Sequence, residues 1–206
     1  LGDVYKRQGL KAAAREIGGV QIQASGTIGV NLCTASPAGD SIPCLMTLNA
    51  EIELASHRGA RRLPLNEFLI GPRQTACAPD ELVTAVYVPS DAETGVGGFE
   101  KLGARRYLVI SIAMTAARLS IAYGRIGDAA ISVGACAPVA VRLTELEAGL
   151  RGMAYDMAGD FIRDNRSGIM AALSPIDDVR GTAGYRRDAA AEIVARLVER
   201  LCEEFG

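Results

Sequence analysis

Residues 27–43 read Thr-Ile-Gly-Val-Asn-Leu-Cys-Thr-Ala-Ser-Pro-Ala-Gly-Asp-Ser-Ile-Pro. Small residues, hydroxyls and turn formers are concentrated here, with apolar segments on both sides. Gly29 can take backbone angles closed to other residues. Thr27, Asn31, Thr34 and Ser36 place short donors and acceptors beside the main chain. Pro37 and Gly39 interrupt regular structure. Asp40 or Ser41 can cap a helix that starts near Ile42 and tolerates Pro43 in its first turn. A loop of this make-up can turn several backbone N–H groups toward one anion, typically a phosphate. The same make-up also suits a plain turn between two elements, since Gly-rich loops are common.

Working outward, Leu10, Ala13, Ala14 and Ile17 fall on one face of a short helix over 9–18, ended by Gly18-Gly19. Val20, Ile22 and Ala24 alternate with polar residues, which predicts a strand entering the 27–43 loop. A helix follows to about Leu48. Residues 50–65 predict a hairpin turning at Arg58-Gly59, with Glu and Arg paired across it. Asn66 to Phe68 reads as a helical turn, Pro72-Arg73 as a loop, and Leu82 to Val88 as a strand. The polar stretch 90–98 marks a domain boundary. Beyond it, Leu108 to Met114 alternates as a strand, Tyr123–Arg125 and Gly127-Asp128 read as turns, and Ala130 to Ala135 is a second strand. Thr144 caps a helix to Leu150 with Glu147 at a capping-box position. In 183–205, Ile193, Val194, Leu197, Val198 and Leu201 form one apolar stripe of a long helix.

Composition limits the function classes. The chain has 206 residues, 49% of them hydrophobic, and a net charge of −2. That allows one large or two small domains and gives no electrostatic reason to expect nucleic acid or an anionic membrane. The five cysteines, at 33, 44, 77, 136 and 202, form no CxxC pair, so they read as reduced, buried thiols and not as zinc or iron–sulfur ligands. The single histidine, His57, sits at the hairpin tip, a poor place for a catalytic base. No apolar run approaches the ~18 residues of a membrane span, and no signal-peptide core precedes the first helix. Residues 1–8 read as a non-native or unstructured leader on a fragment of something longer, and the whole as cytoplasmic.

Three segments, in order, resemble one family. Gly26 to Pro43 looks like the second flavin-binding segment of the FAD domain in molybdenum hydroxylases, the group of xanthine dehydrogenase and aerobic carbon monoxide dehydrogenase. Phe99-Glu100-Lys101-Leu102-Gly103-Ala104-Arg105-Arg106, with Ile110-Ser111, resembles the start of that family's C-terminal flavoprotein domain. Ser174 to Ala183 with Tyr185-Arg186 resembles its closing signature, especially in xanthine dehydrogenase-like members. The resemblance implies an α+β fold: the C-terminal part of a PCMH-type FAD-binding domain over 9–95, then a CO dehydrogenase flavoprotein C-terminal-like domain over 96–206, with a small antiparallel sheet and helices.

It also implies a site. Thr27, Ile28, Gly29, Val30 and Asn31 would wrap the FAD pyrophosphate, with Thr34 and Asp40 nearby, Asp40 meeting a sugar, the backbone or a helix end. Val83 would lie against the flavin, and Lys101 near its pyrimidine edge, where a cation raises the potential. Arg105 and Arg106 are ion-pair partners or cofactor ligands. Val30 stands where the family usually has a second glycine, so this position either uses ordinary backbone angles or binds more weakly. The family's first Gly-rich loop is not in this sequence. No residue need be catalytic and no metal is held. The implied function is electron transfer in an FAD-dependent oxidoreductase complex, from iron–sulfur clusters through FAD to NAD or another acceptor, with molybdenum cofactor and clusters on partner subunits or domains and an isolated chain that is inactive. The rivals are a docking module without catalysis and an unrelated nucleotide-binding protein.

Overall fold

The computed structural model describes residues 7–106 and 108–204. The expected leader falls mostly outside them, but Gln8 already opens helix α1 (Gln8–Glu16). Gly9 lets α1 lie close on the strand that holds Gly98: a Cβ there would stand 2.8 Å from the Gly98 carbonyl oxygen.

The next segment departs from the sequence reading. Val20–Ser25 is a helix, α2, with no buried residue, and not a strand. A lone extended segment leaves its backbone groups unpaired, whereas a helical turn pairs them internally. Here Gln23 N donates to Gly19 O at 3.0 Å. The Thr27–Asn31 loop is likewise a helix, α3 (Ile28–Thr34). Thr27 enters extended and its hydroxyl accepts from Val30 N at 3.2 Å, which starts the helix. Neither Gly29 nor Val30 has a positive φ, so Val30 takes ordinary helical angles without strain. α4 (Ser41–Thr47) follows as expected and is buried along its whole length.

Strands β1 (Glu51–Ser56) and β2 (Gly59–Pro64) form the hairpin, pairing Ser56 with Gly59, so the two-residue turn is His57-Arg58. Arg62 reaches Glu51 at 3.5 Å, but Arg61 turns away to Glu81 at 2.7 Å. Past α5 (Leu65–Phe68) and the small pair β3 (Leu69–Gly71) and β4 (Gln74–Thr75), strand β5 (Leu82–Tyr87) joins the other edge of β1. One face of this three-stranded sheet buries Ile52 and Leu54 against Leu32, Leu45, Leu65 and Phe68.

The second sheet runs β6 (Val96–Leu102), β7 (Ala113–Ala122), β8 (Arg125–Gly134) and β9 (Val141–Arg142), antiparallel throughout. Two expectations are corrected here. The strand starts at Ala113, because Leu108 has a positive φ and both Leu108 and Ile110 are exposed. Gly127-Asp128 lies inside β8, since Tyr123-Gly124, both at positive φ, already makes the hairpin turn. In α6 (Thr144–Leu150) the N-cap is Leu143, with no side-chain cap. Glu147 instead accepts from Ile131 N and Arg142 Nε, each at 2.7 Å, and ties the helix to the sheet.

α7 (Ala158–Asp164), α8 (Arg166–Ala171) and the long α9 (Ala183–Glu203) cover one face. The predicted stripe of α9 is wholly buried there, each aliphatic side chain stabilising by about 1.5–3 kcal/mol. α1 and α4 cover the other face, where Ala13 and Cys44 meet Phe99, Met114 and Ala116. The fold is therefore α+β, with β6–β9 as the middle of three layers. Cys44, Cys136 and Cys202 are buried, whereas Cys33 is exposed on α3 because it faces away from Leu32. Among the described residues no cluster of His, Cys, Asp or Glu is placed to hold a metal, and no helix is long and apolar enough to cross a membrane.

Candidate functional site

α1, α2 and α3 enclose an open groove of about 460 Å³. Leu10 and Ile17 from α1, Ile22 from α2, and Ile28 and Val30 from α3 give it an apolar wall. Thr27, Asn31, Thr34, Ser41 and Arg15 supply the polar groups. Several of these apolar side chains lack a cover: Ile22 is 54% exposed, Ile28 43% and Val30 65%. Burying such surface is favourable at roughly 25 cal/mol per Å², so the groove suits a ligand with one flat apolar part and one polar, hydrogen-bond-accepting part.

The helical form of α3 changes how an anion could be held. Val30 N is engaged by the Thr27 hydroxyl and Asn31 N donates to Thr27 O at 3.1 Å. That leaves Ile28 N and Gly29 N, at the start of α3, as backbone donors without an intrahelical partner. Asn31 and Arg15 line the same groove. The Thr34 hydroxyl points back along the helix, donating to Val30 O at 2.8 Å.

Behind the groove runs a polar chain. Ser41 Oγ donates to Asn31 Oδ1 at 2.6 Å. The neighbouring Asp40 accepts from Lys101 Nζ through Oδ2 and from Ser111 Oγ through Oδ1, both at 2.6 Å. Lys101 and Asp40 are 8% and 6% exposed, so this is a buried ion pair with its oxygens satisfied. One turn along α4, burial and then the Asp40 charge push the Cys44 thiol far above its ordinary range, leaving it an inert packing group.

The structure thus brings Thr27, Ile28, Val30, Asn31 and Thr34 onto one groove, with Gly29 on the same helix. Asp40 and Lys101 are joined to each other just behind it. Lys101 also borders a second groove of about 510 Å³ with Phe99, Arg105 and Arg106. Val83 sits on β5, packed against the core beneath α3. Ser41, Ser111 and Arg15 were not singled out as site residues from sequence. Ser41 had a signal, as a possible helix cap, but its hydroxyl serves Asn31.

Comparison with known proteins follows this geometry. Residues 4–91 match the family model of the FAD binding domain in molybdopterin dehydrogenase, and residues 99–201 that of the CO dehydrogenase flavoprotein C-terminal domain. The chain is 32% identical over 190 residues to the nicotine 6-hydroxylase medium subunit of Paenarthrobacter nicotinovorans, covering 92% of this chain and 65% of the relative. It is 32% identical over 182 residues to the carbon monoxide dehydrogenase medium chain of Afipia carboxidovorans, covering 87% and 62%. A crystal structure of the Cu,Mo-CO dehydrogenase in its cyanide-inactivated form superposes with a TM-score of 0.86 at 28% identity, over 94% of this chain and 66% of that one. The chain therefore spans about two thirds of the length of these proteins. With both family models matched in order on the matching fold, the chain belongs to the FAD-binding flavoprotein family of the molybdopterin dehydrogenases.

Proposed function

We propose that this chain is the flavin-carrying part of a molybdenum hydroxylase complex. It would receive electrons from iron–sulfur clusters on partner subunits or domains and pass them to NAD or another soluble acceptor in the cytoplasm. The observation that carries the reading is the uncovered groove lined by Thr27, Ile28, Val30, Asn31 and Thr34. Its mixed wall suits FAD, which when bound supplies the redox chemistry. Ile22, Ile28 and Val30 would exclude water from the cofactor's apolar part, and Asn31 and Arg15 would hold its diphosphate. Lys101, engaged by Asp40, would act from behind the groove, fixing the turn before α4. Val83 would support α3 from below. The closing signature, Ser174 to Arg186, favours a xanthine dehydrogenase-like parent.

The test is flavin stoichiometry in the full gene product. FAD is expected to bind saturably with quenched fluorescence, and Asn31→Ala is expected to lower the flavin content of the purified protein. Wild-type protein without saturable flavin binding, or an Asn31→Ala protein with full flavin content, overturns the groove assignment. Reduction of NAD⁺ by the assembled complex, against its reduction of artificial dyes alone, decides the acceptor.

A further inference from the structure

A carboxamide is nearly symmetric in shape and opposite in polarity at its two ends. Facing an anion, Asn31 helps only if it presents Nδ2; the same side chain flipped would present Oδ1 and repel. Something must therefore set its orientation. Asn31 stands on α3, where Leu32 is the one buried residue. Ser41, in contrast, is 3% exposed at the start of the fully buried α4. Its hydroxyl donates to Asn31 Oδ1 at 2.6 Å. Among the described residues Nδ2 has no protein acceptor, and Asn31 lines the groove. The turn bearing Ser41 is in turn held by Asp40, through Lys101 on β6 and Ser111.

We propose that Ser41 is a positioning residue for the cofactor's diphosphate: by engaging Oδ1 it turns the Asn31 amino group toward the groove. The inference rests on the flavin reading above. It assigns the anion preference of the groove to a buried hydroxyl that need not touch the ligand. The selectivity follows from where the hydroxyl sits, since α4 cannot shift without disturbing the buried Asp40–Lys101 pair.

The experiment compares FAD with riboflavin, which lacks the diphosphate, by fluorescence titration of the full gene product. Ser41→Ala is expected to weaken FAD about tenfold, the worth of one hydrogen bond to a charged group, and to leave riboflavin unchanged. Adding Ser41→Ala to Asn31→Ala should cause no further loss. Asn31→Asp brings a negative charge to the groove and should also weaken FAD selectively; if Ser41→Ala does not fold, Ser41→Cys, close in size but a weak donor, takes its place and should weaken FAD over riboflavin in the same way. An unchanged ratio of FAD to riboflavin affinity in the Ser41 variant, including equal loss of both ligands, overturns the proposal. Wild-type protein that binds no FAD overturns instead the reading on which it rests.

Discussion

α3 and α9 begin alike. Thr27 accepts from Val30 N and Thr182 from Tyr185 N, each at 3.2 Å. After the cap they diverge. α3 has seven residues and buries Leu32; α9 has 21 residues and buries ten, from Arg186 to Cys202. A cap decides where a helix starts, at about 1 kcal/mol, and tertiary burial decides whether it stays. α9 is held by the sheet it covers. α3 is held at Leu32, at its ends and through Asn31, with Ile28 and Val30 left outward. The element with spare apolar surface is the one that lines the groove, and the difference separates scaffold from site.

The largest effect is expected at the buried Asp40–Lys101 pair behind the groove. Lys101→Met leaves Asp40 buried without its cation and is expected to lower global stability by about 3–5 kcal/mol, read from the denaturant midpoint. The double variant Lys101→Met with Asp40→Leu should recover most of that loss; no recovery would mean that Ser111 and not the ion pair sets the effect. Leu197→Ala, on the buried face of α9, should cost about 2–5 kcal/mol in the same measurement. The matched pair Thr27→Ala and Thr182→Ala should each cost about 1 kcal/mol, but in different places. Loss at Thr182 is expected in the global transition. Loss at Thr27 is expected in faster hydrogen exchange confined to α3 amides; a global shift equal to that of Thr182→Ala would erase the distinction between the helices. Smallest of all, Val30→Ser should change stability by no more than about 0.5 kcal/mol while weakening flavin binding.

The same contrast explains what was readable beforehand. The β1–β2 hairpin and α9 were legible because their signals are local and long: alternation about a tight turn, and an apolar stripe sustained over five positions. α2 and α3 were misread because six alternating residues carry no information about whether a partner strand exists, and a Gly-Val pair suits a loop or a helix. Tyr123-Gly124 and Gly127-Asp128 look equally like turns, and only the pairing of Ala122 with Arg125 shows which one closes the hairpin. Glu147 looked like a cap because its spacing was right, yet a charged pair with Arg142 and the Ile131 amide held it more strongly. The groove residues were named from resemblance as a phosphate wrap; that they line one groove as a helix face came from folding. Ser41 was visible only as a helix starter, since its contact with Asn31 spans two elements.

The close seat of α1 on β6, which Gly9 permits, bears on the order in which the chain can fold as it is made. The strands α1 rests on follow it by some ninety residues, and α4 likewise waits for β7 and β8. Until then their apolar faces have no resting place, and a nascent chain halted near residue 95 would present them to chaperones or to its neighbours. The two matched segments thus meet across the α1–β6 and α4–β7–β8 contacts. Expressed alone, the first would carry α1 and α4 without the sheet they cover and the second the sheet without those helices, and each should need the other supplied in trans to stay in solution.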